Sequence, residues 1–143
     1  SVFLFGRGAE ARADLPSARV VEATAGEIDW QPWHAGEAER LAAQGKTGFV
    51  DVTADWCFTC KVNERVVLHS AAVRRAFLAS GTVALKADWT NPSDEIAHYL
   101  ASFGRYGIPF YVVYRPGRPP EPLPEILTQA LVLKALGAEP PTG

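Results

Sequence analysis

The chain has 143 residues, 48% of them hydrophobic, which suits one domain with its own hydrophobic core. A formal net charge of −2, with scattered lysines and arginines, provides no basic surface for nucleic acid, so we expect no nucleic-acid partner. No stretch approaches the roughly 18 consecutive apolar residues of a membrane-spanning helix, and the N-terminus lacks the basic region of a signal peptide. We therefore expect a soluble domain, while a membrane anchor outside this sequence stays open.

The two ends of the chain differ from its middle. Residues 1–26 are small, mixed in character and without a hydrophobic period, which predicts a linker or N-terminal arm. The patterned part predicts one domain over residues 27–138, followed by a C-terminal tail over residues 139–143.

The first elements of this domain alternate between strand and helix. Residues 28–33, which a proline interrupts, predict a short edge strand and turn, and residues 35–44 predict a helix that a glycine ends. Ala38 and Leu41 are expected to face inward from that helix. Residues 47–53 are β-branched and aromatic, which predicts a central strand.

The middle of the domain begins with a long helical pattern. Apolar residues recur at helical spacing over residues 58–80, which predicts one long helix or two consecutive helices with a break near His69 and Ser70. A second strand is predicted over residues 82–89. A helix is predicted to begin at residues 91–93 and to run to residue 103.

The last elements are two strands and a helix. Residues 108–114 predict a third strand opened by a proline, and the turn-rich residues 115–120 connect it to a short fourth strand over residues 123–127. Residues 128–136 predict a closing helix that a glycine ends. The alternation predicts an α/β fold, a central mixed β-sheet flanked by helices.

Cys57 follows a predicted strand and begins a predicted helix. Unpaired backbone N–H groups at a helix start stabilise a thiolate and lower its pKa, and the thiolate is the species that attacks a disulfide. Cys60 lies one helical turn further on the same face, where it can close on Cys57 and release a partner. The pair therefore predicts thiol–disulfide exchange, with both cysteines catalytic.

Two other interpretations of the cysteines stay open. A structural staple would close too short a loop to add much stability. A metal site would need more ligands, and His34, His69 and His98 show no paired spacing, so we predict no metal and expect surface or half-buried histidines.

Two acidic residues are candidates for proton transfer. Asp51 lies in the predicted central strand, where burial would raise its pKa and let it exchange a proton with the Cys60 thiol. Glu64 lies four residues after Cys60, so its carboxylate can also approach the pair. An edge-strand aspartate and a solvated helix glutamate are equally compatible with the spacing.

Four further residues are candidates for binding a partner. Pro109 follows Ile108 at the start of a strand, where a cis peptide bond can present the Ile108 backbone to an extended chain, although a trans proline fits equally well. Trp56 and Phe58 flank Cys57 and would form an apolar rim, unless they belong to the core.

Around the cysteine pair the chain reads Ala54-Asp55-Trp56-Cys57-Phe58-Thr59-Cys60-Lys61, with Asp51 upstream and Ile108-Pro109 downstream. This pattern resembles the thioredoxin superfamily. Over residues 50–64 the chain is more narrowly similar to the C-terminal periplasmic domain of DsbD-type transmembrane thiol:disulfide interchange proteins. Residues 87–90 and 123–128 strengthen this similarity, and the latter resemble the ScsB-like, copper-tolerance branch. Phe58-Thr59 stands where thioredoxin itself has Gly-Pro.

The resemblance implies a protein-disulfide reductase domain in the periplasm. Such a domain takes electrons from a membrane-embedded donor domain and passes them to periplasmic disulfide-containing proteins or a second periplasmic domain, in processes such as cytochrome c biogenesis. It implies Cys57 as the attacking cysteine, Cys60 as the resolving cysteine, Asp51 and Glu64 as the acids that tune them, and Pro109 as the cis-proline. We expect no bound cofactor and a monomeric isolated domain. A non-catalytic binding module, a copper-binding domain, or an oxidase or isomerase of the same fold stay as alternatives.

Overall fold

A computed structural model describes residues 27–138, so the predicted arm and tail lie outside the described residues. Five strands form one sheet in the order β1-β3-β2-β4-β5. The strands are β1 (Gln31–Pro32), β2 (Gly48–Thr53), β3 (Val83–Asp88), β4 (Phe110–Tyr114) and β5 (Glu121–Leu123). Strand β3 runs parallel to β1 and β2, whereas β4 runs antiparallel to β2 and β5. The predicted mixed sheet, with a short edge strand at its start, is confirmed.

Helices cover both faces of the sheet. They are α1 (Glu37–Ala43), α2 (Phe58–Asn63), α3 (Ala71–Ser80), α4 (Asp94–Ser102) and α5 (Gln129–Ala135), and a π-helical turn, Glu64–Leu68, continues α2. The predicted break at Ser70 is confirmed, because its side chain accepts the Val73 amide and caps α3. Within the described residues no helix is long and apolar enough to cross a membrane.

The central strand β2 separates two hydrophobic cores. All six of its residues are buried, as expected of a strand with neighbours on both sides. Phe49 packs in the core on the side of α3 and α5, while Val50 and Val52 pack in the core on the side of α1 and α4. The second core buries Ala38 and contacts Leu41, as predicted. Because alternate residues enter opposite cores, the pairing register of β2 is fixed.

The predicted fourth strand over residues 123–127 is wrong in its position. Strand β5 ends at Leu123, having begun two residues earlier opposite Val113 of β4. Beyond it, Pro124 has no backbone N–H for a strand ladder. The Glu125 carbonyl and the Leu127 amide are instead bound by the side chain of Asn63.

Asn63 links three parts of the fold from the end of α2. Its amide nitrogen donates to the Tyr111 hydroxyl at 2.9 Å and to the Glu125 carbonyl at 2.7 Å, and its carbonyl oxygen accepts the Leu127 amide at 3.2 Å. Asn63, Tyr111 and Leu127 are all buried, so water cannot easily replace the bonds that Asn63 makes to the Tyr111 hydroxyl and the Leu127 amide. Asn63 therefore holds α2 against β4 and against the loop before α5.

Replacing Asn63 with alanine should lower the free energy of unfolding by about 2–4 kcal/mol, since it leaves buried polar groups without partners. Urea denaturation of the oxidised protein measures this change. The exposed Asn91 provides the control, and N91A should change the same free energy by less than about 0.5 kcal/mol. Equal stabilities of N63A and N91A would contradict this assignment.

Candidate redox site

Cys57 is the N-cap residue of α2. A turn over residues 54–57, closed by the Cys57 amide donating to the Ala54 carbonyl at 3.2 Å, brings the chain from β2 into α2. The Cys57 Sγ accepts the backbone N–H of Cys60 at 3.2 Å. The predicted position of Cys57, at a strand end and a helix start, is confirmed.

The two cysteines form a disulfide with their Cα atoms 5.3 Å apart. Cys57 keeps 6% of its surface exposed, whereas Cys60 has none. Ile108 packs against both of them and against Ala54. An approaching molecule therefore meets Cys57 first, while Cys60 is shielded beneath it.

Asp51 lies on β2, with β3 and β4 on its two sides, so the edge-strand interpretation is wrong. The residue is 1% exposed, and neither carboxyl oxygen accepts a hydrogen bond from a described residue. The pKa of Asp51 is raised from 3.8 to about 7. Burial is the largest cause and the negative charge of Glu64 is the second, while Lys86 and Lys61 oppose the change. Near neutral pH this carboxyl can therefore both accept and return a proton.

Glu64 begins the π-helical turn and points back toward β2. Its Oε2 accepts the Thr53 hydroxyl at 2.9 Å, and its Oε1 lies 3.8 Å from the Lys61 ammonium. The side chain is only 17% exposed, so the interpretation as a solvated helix glutamate is wrong. After burial, the negative charge of Glu64 is the second cause that raises the pKa of Asp51.

Tyr111 lies beside this acidic pair and was not predicted as part of the site. It is the cross-strand neighbour of Asp51, and its hydroxyl accepts the Asn63 amide. Burial, and then the charge of Asp51, raise the pKa of the Tyr111 hydroxyl above its ordinary value, so it stays protonated. Neither Tyr111 nor Asn63 belongs to a local motif, because their contacts join distant parts of the chain.

The predicted rim residues flank Cys57 in the sequence and are exposed. Trp56 is 62% exposed and Phe58 is 80% exposed, so neither belongs to the core. The Ile108-Pro109 peptide bond is cis, as one of the two interpretations expected, and Pro109 is buried. The cysteine pair is thus surrounded by apolar side chains.

Metal binding finds no support within residues 27–138, where no group of three or more His, Cys, Asp or Glu could hold an ion. His34, His69 and His98 are all exposed, as the surface interpretation expected.

A segment that follows β3 borders the site, and sequence reasoning assigned it no role there. Thr90 accepts the Asp55 amide on its hydroxyl at 2.9 Å, and its carbonyl accepts the Trp56 indole N–H at 3.2 Å. Two residues of the turn before Cys57 are therefore bound to Thr90.

Comparison with known proteins gives this arrangement a family context. A sequence model of the family described as Thioredoxin-like matches residues 29–116, more than half of the chain. A thiol:disulfide interchange protein DsbD from Yersinia pestis (strain Pestoides F) is 37% identical over 73 residues, which are 51% of this chain and 12% of the relative. The DsbD of Vibrio cholerae serotype O1 is 36% identical over 67 residues, 47% of this chain and 11% of the relative. The similarity thus spans a small part of these relatives.

Solved structures with the same fold include thioredoxins and DsbD domains. A thioredoxin from Thermus thermophilus has a TM-score of 0.59 and 25% identity, covering 78% of this chain and 85% of that one. The reduced C-terminal domain of DsbD from Neisseria meningitidis has a TM-score of 0.53 and 22% identity, covering 70% and 87%. A DsbH oxidoreductase has a TM-score of 0.57 and 17% identity, covering 88% and 92%. The predicted thioredoxin-like fold is confirmed.

Replacing Asp51 with asparagine should stabilise the oxidised protein at high pH and not at low pH. The folded state holds the Asp51 proton up to about pH 7, while the unfolded state releases it near 3.8, so stability falls as the pH rises through this window. The raised pKa of Asp51 corresponds to a cost on the order of 4 kcal/mol at about pH 8, which D51N removes.

Urea denaturation at about pH 4 and about pH 8 measures the effect, with D29N at an exposed aspartate as the control. A D51N variant whose advantage over the parent is the same at both pH values would show that folding does not raise the pKa of Asp51.

Proposed function

Since this chain belongs to the thioredoxin-like family, we propose that its Cys57–Cys60 pair is the catalytic centre of a protein-disulfide reductase domain. One observation carries the proposal. The Cys57 Sγ lies over the Cys60 amide and is the more exposed sulfur of a disulfide whose other cysteine is fully buried. A hydrogen bond from a backbone amide stabilises a thiolate, so Cys57 is the nucleophile and Cys60 is the resolving residue.

The reaction runs in two exchanges once the pair is reduced. The Cys57 thiolate attacks one sulfur of the partner's disulfide, and the partner's other sulfur leaves as a thiolate that takes up a proton. Cys60 then loses its proton and attacks the Cys57 Sγ, which breaks the mixed disulfide and releases the partner's second thiolate. Two electrons have passed to the partner, and an upstream dithiol restores the Cys57–Cys60 pair.

Asp51 is the base that takes the proton from Cys60. Cys60 is fully buried, so bulk water cannot reach its thiol easily. Asp51 lies on the face of β2 that α2 and the π-helical turn cover, together with Thr53 and Glu64. Glu64 assists because its charge raises the pKa of Asp51 toward neutral pH, where a general base is most effective.

The rim binds the partner. Trp56 and Phe58 expose large apolar surfaces beside the nucleophile, and such surfaces are typical of sites that contact another protein. Ile108 packs against the cysteines, immediately before Pro109 and the start of β4, so its backbone is placed to pair with an extended segment of the partner.

The place of this domain in an electron relay follows from its similarity to DsbD proteins. Identities of 36–37% over about half of the chain support a DsbD-type domain in the periplasm. A membrane-embedded donor domain would then reduce the Cys57–Cys60 pair, and periplasmic disulfide-containing proteins or a second periplasmic domain would accept its electrons. Roles in cytochrome c biogenesis or in ScsB-like copper tolerance would differ only in the final acceptor.

The roles of the two cysteines can be separated by trapping. With insulin as the disulfide substrate and dithiothreitol as the reductant, the parent domain should accelerate insulin reduction. The reduced C60S variant should form a stable mixed disulfide through Cys57, because no second thiol can release it. Mass spectrometry identifies the adduct. The C57S control should form no such adduct, and catalytic turnover by C60S at the parent's rate would contradict the proposal. A parent domain that does not accelerate insulin reduction, as expected of a non-catalytic binding module, would contradict it as well.

The role of Asp51 can be tested with an aromatic disulfide reagent that releases a coloured thiolate. In stopped flow, the first release reports attack by Cys57 and the second reports resolution by Cys60. D51N should slow the second release at neutral pH by roughly ten- to a hundredfold, toward the lower range for general-base catalysis. The deficit should shrink above about pH 8.5, where a thiol ionises without help.

The control for this experiment is D29N, which should leave both releases unchanged because Asp29 is exposed and lies outside the site. If D51N resolves the mixed disulfide at the parent's rate, Asp51 is not the base that takes the proton from Cys60.

A further inference from the structure

The turn that delivers Cys57 to the start of α2 has two exposed central residues. Asp55 has 82% of its side chain exposed, and Trp56 is 62% exposed. Burial therefore does not hold these residues in place. A turn with exposed central residues samples several conformations unless hydrogen bonds restrict it.

Thr90 supplies those hydrogen bonds to both central residues. Its hydroxyl accepts the Asp55 backbone N–H at 2.9 Å, and its carbonyl accepts the Trp56 indole N–H at 3.2 Å. The two contacts restrain different parts of the turn, since one binds its backbone and the other binds its large side chain. Asp55 has one further contact, with the Lys61 ammonium at 3.8 Å, which is an exposed ion pair and contributes little.

Thr90 is itself anchored to the sheet. Its backbone N–H donates to the Asp88 Oδ1 at 3.0 Å, and its hydroxyl donates to the same oxygen. Asp88 is the last residue of β3 and lies opposite Thr53, the last residue of β2. Both bonds lower the pKa of Asp88, and the bond from the hydroxyl has the larger effect. Asp88 therefore stays a charged acceptor at neutral pH. A continuous chain of hydrogen bonds thus runs from the sheet to the turn before Cys57.

We propose that Thr90 is a positioning residue of the redox site, which, anchored by Asp88, fixes Asp55 and Trp56 and thereby holds the Cys57 sulfur over the Cys60 amide. The inference rests on the proposed function of the cysteine pair and adds to it the residue that keeps the pair in its reactive geometry. The same contacts restrain the exposed indole of Trp56, the residue that precedes Cys57. A partner that docks there does not have to order this side chain, which reduces the entropic cost of binding.

The test replaces Thr90 with valine, which keeps the shape of the side chain and removes its hydroxyl. T90V loses the hydroxyl bonds to the Asp55 amide and to Asp88, while the Thr90 backbone N–H that binds Asp88 and the backbone carbonyl that binds Trp56 remain. In the reduced protein, the pH midpoint of Cys57 alkylation by iodoacetamide should rise. The alkylation rate at neutral pH should fall about threefold to tenfold, the effect of losing one ordinary hydrogen bond.

Two variants serve as controls for T90V. T90S restores a hydroxyl and should return the midpoint and the rate to within about twofold of the parent, because the hydrogen bonds can re-form. T82V removes the hydroxyl of a threonine of similar burial whose side chain contacts Ser80 outside the site, and it should match the parent. Urea denaturation of each variant first establishes conditions under which all of them are folded.

A second measurement does not depend on T90V folding. In the parent, the Asp55 amide and the Trp56 indole N–H should exchange with solvent more slowly than the amides of other exposed turns, because Thr90 binds both groups. Nuclear magnetic resonance measures this exchange. Fast exchange of both groups in the parent, or an alkylation midpoint in folded T90V equal to that of the parent, would overturn the inference.

These outcomes can be distinguished from failure of the proposed function. Alkylation of Cys57 and amide exchange require no substrate. If the parent does not reduce insulin but T90V still shifts the alkylation midpoint, the reductase proposal fails and the role of Thr90 stands. If the parent reduces insulin and T90V alkylates as the parent does, the role of Thr90 fails alone.

Discussion

The contact between the Cys57 Sγ and the Cys60 amide is the interaction on which the site depends. It requires β2 to end at Thr53, a turn to follow over residues 54–57, and α2 to begin at Phe58. If any of these steps moved by one residue, the sulfur would lie beside a different backbone group. The central strand supplies the fixed reference for this geometry, because its residues enter two opposite cores and cannot shift in register.

The buried carboxyl of Asp51 lowers the stability of the fold. Asp51 occupies a fully buried position of the central strand, with carboxyl oxygens to which no described residue donates a hydrogen bond. An apolar residue there would suit the sheet better, and a buried unpaired carboxyl is typical of a site shaped by function rather than by stability. The two cores on either side of β2 offset this cost, and Glu64 increases the proton affinity of Asp51 without entering the core itself.

The sequence predicted an element correctly wherever neighbouring residues in the chain determine it. The strand over residues 47–53 follows from its β-branched and aromatic residues, the break at Ser70 follows from a capping residue, and Cys57 lies where those elements meet. The predicted position of β5 was wrong because Asn63, 62 positions from Glu125 in the chain, hydrogen-bonds the backbone of the loop that follows the strand. The partnership of Thr90 with Asp55 spans 35 positions and was missed for the same reason. Asp51 was an intermediate case, since its neighbours in sequence predicted a central strand, but the sheet order was needed to exclude an edge-strand aspartate.

The buried acids near the cysteine pair and the exposed aromatic residues that flank Cys57 in sequence lie in different surroundings. Asp51, Glu64 and Tyr111 lie inside, between α2 and the sheet, while Trp56 and Phe58 are exposed around Cys57. Among residues 27–138, no hydrogen bond joins Trp56 or Phe58 to Asp51 or Glu64. Under the proposed function, partner choice would depend on Trp56 and Phe58, and proton transfer would depend on Asp51 and Glu64. Thr90 connects the turn before Cys57 to the sheet, because it binds Asp55 and Trp56 and is itself bound to Asp88.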